Sequence, residues 1–113
     1  MRYSIITLSV FLILVLAPPE YLCAEEHRVT MKNWEFTPNA LTINIGDSVI
    51  WINDDDSHHK IIFEDTSLKS SENIKPEKEY LLTFNKPGEN KYYCKYHHEY
   101  GMYGTIIVKG IDK

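Results

Sequence analysis

Three side chains that commonly bind transition metals, Cys94, His97 and Met102, fall within one short run, YYCKYHHEYGMYG. β-rich segments at 91–94 and 103–109 flank it, so Cys94 ends one strand and Met102 opens the next. A chain built this way must lay those two strands in a sheet and hold both ends of the intervening loop. A second imidazole is available upstream, at His58 or His59, on what reads as a separate strand. One thiolate and two imidazoles about a metal, with a weak, long axial thioether, are the donors of a mononuclear type 1 copper site. Such a site points to one-electron transfer.

Other uses of these residues fit less well. Structural zinc wants four strong ligands, commonly on paired cysteines, and a thioether is a poor zinc donor. A binuclear copper centre of the oxidase type needs two cysteines bridging its metals, and Cys94 is the one cysteine in this part of the chain. The plain structural reading makes Cys94 a small buried hydrophobe, Met102 a core filler and the histidines surface residues. The neighbouring sequence outweighs it.

Residues 4–17, SIITLSVFLILVLA, form an apolar run behind Arg2, and Leu22-Cys23-Ala24 resembles a small-residue cleavage site. Residues 1–24 therefore read as a signal peptide and 25–113 as one domain. The apolar stretch is shorter than the ~20 residues of a spanning helix, which argues against a stable membrane anchor. Removing the leader takes Cys23 away and leaves Cys94 unpaired. A lone thiol in an exported chain needs its own explanation, and copper ligation supplies one.

The leader carries one basic and one acidic residue, Arg2 and Glu20, so the formal charge of −4 is the same with or without it. Acidic residues cluster at Asp54-Asp55-Asp56 and Glu64-Asp65. That balance argues against nucleic acid and anionic membrane as partners. The triple Asp reads as a solvated turn rather than a docking patch.

Residues 28–34 and 41–45 are β-rich, the second alternating Leu41, Ile43 and Ile45 with polar neighbours. Gly46-Asp47 is a turn. Residues 49–52 run continuously apolar, as a strand covered on both faces does, and 53–57 break them with turn formers. Further strands are expected at 59–63 and 80–84, with a turn at Pro87-Gly88. Residues 64–78 read as a surface connection with room for one short helical turn. Many short strands separated by turns predict an all-β sandwich.

Three segments carry a family resemblance. FTPNALTINIGDSVIWIN (36–53) is similar to the N-terminal half of the cupredoxins, and HKIIFED (59–65) to the strand that delivers the first copper ligand in plastocyanin and amicyanin. PGENKYYCKYHHEYGMYGTIIVKG (87–110) resembles the second half, with the plastocyanin spacing C-x2-H-x4-M. The resemblance implies a Greek-key sandwich of about eight strands with one copper ion held near one end by His59, Cys94, His97 and Met102. It also implies that the His97 ring reaches the surface through an apolar patch and passes the electron. The chain departs from the family in having His58 where Pro is frequent and Lys60 where Asn is frequent. Its ligand loop, with Lys95, Tyr96, His98, Glu99 and Tyr100, is also more polar and aromatic.

The leading expectation is a monomeric, soluble electron carrier in the periplasm or another extracytoplasmic compartment, serving a cytochrome, an oxidase or a dehydrogenase. The alternative is copper trafficking or buffering on the same fold, against which stands the shortage of methionines beyond the leader, Met31 and Met102. An enzyme of the multicopper oxidase or nitrite reductase type would need further copper centres and H-x-H pairs. Here the histidines are adjacent. His58 and His98 are expected to be exposed neighbours of the ligands, His27 to lie in a frayed N-terminus, and Trp34 and Trp51 to be core aromatics.

Overall fold

Alternation decides which side chains the strands bury. In β1 (Glu26–Lys32) Val29 and Met31 point inward between polar residues, and in β8 (Tyr103–Lys109) Gly104, Ile106 and Val108 do the same. The computed structural model describes Arg2, Ser4 and residues 23–111. The other strands are β2 (Glu35–Thr37), β3 (Ala40–Asn44), β4 (Ser48–Asn53), β5 (Ile61–Phe63), β6 (Glu79–Thr83) and β7 (Gly88–Cys94). The expected signal peptide lies outside the described residues, apart from Arg2, Ser4, Cys23 and Ala24.

The strands form two sheets of four, in the orders β2-β1-β4-β6 and β3-β8-β7-β5. β1 runs parallel to β4 and β3 parallel to β8, while the remaining neighbours are antiparallel. This is the expected all-β Greek-key sandwich. Between the sheets Trp51 packs edge-on to Tyr92 and Phe63, with ring centroids 5.5 and 5.9 Å apart. Val29, Met31, Ile43, Val49, Ile61, Phe84 and Ile106 complete the core. Truncating a residue like Trp51 to alanine costs about 3–5 kcal/mol.

Three local expectations are corrected. His27 is no frayed residue: it lies in β1, and its Nε2 sits 2.9 Å from Oδ2 of buried Asp47, which also accepts hydrogen bonds from the Glu25 and Asn44 amides. The connection 64–78 contains turns and no helix, and it is only partly a surface feature, because Ser71 and Ile74 are buried. Ile74 and His59 exchange backbone hydrogen bonds of 2.7 and 3.1 Å. Finally, β1 stops at Lys32. Asn33 and Trp34 form the tight turn into β2, with left-handed φ of 54° and 58°.

Candidate metal centre

β7 and β8 pair from Tyr93↔Tyr103 inward, which places Cys94 and Met102 across from each other at the mouth of the hairpin. The Cys94 amide donates to the Met102 carbonyl (3.1 Å), and the Met102 amide donates to the His97 carbonyl (3.3 Å). Between them a 3₁₀ turn, His98–Tyr100, closes on Gly101, whose φ of 87° suits glycine. The loop is thus a folded unit with both ends tied. His59 arrives from the other side, held by Ile74 just ahead of β5.

His59 Nδ1 and His97 Nδ1 each lie 3.5 Å from Cys94 Sγ. The three donor atoms fall within 4.8 Å of one another. Met102 is fully buried and tied by its backbone to Cys94 and His97, and His97 is the most exposed of the four at 8%. His58 is exposed, and His98 turns its Nδ1 to the Lys95 carbonyl (3.1 Å) instead of the cluster.

Burial pushes the Cys94 thiol up, but His59 and the backbone N–H groups of Lys60 and Tyr96 more than offset it and hold Cys94 below the ordinary thiol range. Burial pushes His59 down, yet its contacts with Cys94 and Asp55 leave it above the ordinary imidazole value. His97 is lowered, first by burial and then by the nearby charge of His59. A thiol poised to ionise between two imidazoles, with a buried thioether alongside, is a donor set that suits copper.

Asp55 and Trp34 complete the surroundings, and the sequence reading misplaced both. Asp55 Oδ2 lies 2.7 Å from His59 Nε2, so the triple Asp is more than a solvated turn. The Trp34 indole, 39% exposed and no core residue, stacks on the His97 ring with centroids 4.2 Å apart and planes 23° from parallel. Tyr100 leans on the same indole at 5.1 Å. Trp at a left-handed turn position is unusual and costs about 1–3 kcal/mol. Trp51 is buried as expected.

Residues 5–108 match the cupredoxin-like domain. Plastocyanin of Scenedesmus fuscus is 31% identical over 84 residues, covering 66% of this chain and 86% of that protein. Plastocyanin of Synechococcus sp. (strain JA-2-3B'a(2-13)) is 36% identical over 91 residues, covering 66% and 64%. The chain spans 58% of the longer chloroplastic plastocyanin of Tetradesmus obliquus, at 32% identity. Among solved structures, a purple cupredoxin from Nitrosopumilus maritimus superposes with a TM-score of 0.67 at 25% identity, over 74% of this chain and 99% of that one. A methionine-to-alanine variant of Cu(I) amicyanin gives 0.69 at 26%, over 74% and 82%.

Proposed function

The chain belongs to the cupredoxin family, and we propose that within it this protein is a soluble one-electron carrier, exported by its leader and working outside the cytoplasm. Its cofactor is one copper ion. Nδ1 of His59, Sγ of Cys94 and Nδ1 of His97 would hold it as strong ligands, with the Met102 thioether as a weak fourth donor. The observation that carries this reading is the pair of 3.5 Å approaches of both Nδ1 atoms to Cys94 Sγ in a buried pocket.

Copper supplies a one-electron couple, and the protein's part is to change little as the charge changes. Cys94 and Met102 are fixed at the mouth of one hairpin, while His59 is fixed by its bridge to Ile74, so three of the four donors are anchored on or beside packed strands. Low reorganisation follows. Both methionines beyond the leader, Met31 and Met102, are buried, which leaves no surface thioether among the described residues to hand metal on and counts against trafficking.

Electrons pass at the His97 end, where Trp34, Tyr96 and Tyr100 form an exposed aromatic rim that a redox partner protein covers. No catalytic role is assigned. Purified protein loaded with Cu(II) should show an intense visible thiolate-to-copper band and narrow copper hyperfine splitting. Cys94→Ser should abolish both, and a wild-type protein with ordinary tetragonal Cu(II) spectra would sink the proposal.

A further inference from the structure

We propose that Asp55 is a positioning residue for both imidazoles of the metal centre: it holds His59 directly through Nε2, and His97 indirectly through the Asn33–Trp34 turn whose indole covers the His97 ring. This rests on the copper-site reading above, because it explains what aims the two Nδ1 atoms at one point.

Both carboxylate oxygens and the amide of Asp55 are committed. Oδ1 accepts from the Asn33 amide (2.6 Å), and Oδ2 accepts from the Trp34 amide (3.2 Å) while contacting His59 Nε2 (2.7 Å). Its own amide donates to Asn53 Oδ1 (2.9 Å), and Asn53 Nδ2 donates in turn to the Ile74 and Ser57 carbonyls, both at 2.8 Å. The Asp55 backbone is therefore braced by a buried side chain of β4. The turn it grips is one that its sequence disfavours, since both central residues have positive φ and the second is a tryptophan rather than glycine. Two charge-assisted hydrogen bonds to consecutive amides keep it in place.

The geometric result is at the far side of the site. Trp34 Nε1 donates to Ser57 Oγ (3.2 Å), which fixes the rotation of the indole, and the ring lies flat on His97. His97 is carried on a loop, its distal nitrogen has no hydrogen-bond partner among the described residues, and the stacked indole steadies the ring. His59 is steadied by a carboxylate. A carboxylate behind a ligating imidazole also makes Nδ1 the stronger donor and adds negative charge, both of which favour Cu(II) over Cu(I). Asp55 thus lowers the reduction potential as well as aiming the rings.

Metal-free protein tests the mechanical half. The His97 ring signals in ¹H–¹³C NMR should be displaced by the Trp34 ring current. Trp34→Leu should remove that displacement, and Asp55→Ala should remove it too, although Trp34 is still present. His97 signals unmoved in Asp55→Ala overturn the proposal. If Asp55→Ala does not fold, Asp55→Asn decides. An amide has one oxygen where the carboxylate has two, so hydrogen exchange at Asn33 or Trp34 should quicken at least about tenfold. Unchanged exchange at both counts against the proposal.

Copper-loaded protein tests the electronic half. Asp55→Asn should keep the intense visible band and shift the relative stability of the two oxidation states roughly tenfold toward Cu(I), which is ~59 mV upward for a one-electron couple. An unchanged or lower potential overturns the electronic role. A wild-type chain that takes up copper without the intense band fails the copper-site reading instead, and the metal-free measurements still decide whether Asp55 positions the rings.

Discussion

At position 102 the donor is a thioether, and its removal tests whether it ligates or only fills space. Met102→Leu should retain the visible band and raise the reduction potential, because losing a weak axial donor disfavours Cu(II) more than Cu(I). An unchanged potential would make Met102 packing alone. The paired histidines give a sharper contrast. His59→Gly or His97→Gly should lose the band or open the site to added imidazole, whereas His58→Ala and His98→Ala should leave the spectrum nearly intact; the opposite pattern at either pair would refute the assignment. Spacing made Cys94, His97 and Met102 legible, since C-x2-H-x4-M is read directly along the chain. Asp55 and Trp34 were not legible. Each acts across more than twenty residues of separation or through a turn, and a triple Asp and an aromatic beside a strand look ordinary in one dimension.

The β7–β8 hairpin shows how an element can depend on one missing atom. A Cβ at Gly104 would run into the Tyr92 ring, whose position is fixed by Trp51, Phe36 and Phe63. Gly104→Ala should cost about 1–3 kcal/mol by overpacking, read as a lower urea midpoint of the metal-free protein, and an unchanged midpoint would mean that Tyr92 moves aside freely. β8 lies where the β-rich segment 103–109 placed it. The boundary of β1 was missed because Asn33 and Trp34 continue a β-rich stretch, and only the φ values distinguish a turn from a strand there. The 3₁₀ turn at His98–Tyr100 is too short to leave a periodic trace.

For the molecule as a whole, Asp47 ties the start of the described domain to the sheet. Burial pushes its carboxyl up, but hydrogen bonds from the Glu25 amide, the His27 ring and the Asn44 amide more than offset that and hold it below the ordinary 3.8. A lowered folded value means the stabilisation is complete above pH ~4 and is lost as pH falls through the folded value. Asp47→Asn should therefore be less stable at neutral pH by about 1–3 kcal/mol. It should also lose less further stability on acidification than the wild type, and parallel acid curves would contradict this account of Asp47. The parallel pairings carry a different consequence. β3 is completed by β8, and the mouth of the β7–β8 hairpin exists only once the last strand has docked. No truncated or nascent chain lacking β8 can assemble the metal pocket. Under the export proposed above, a chain threaded across the membrane unfolded would arrive empty, and the copper on the arrival side would set how much of it becomes active.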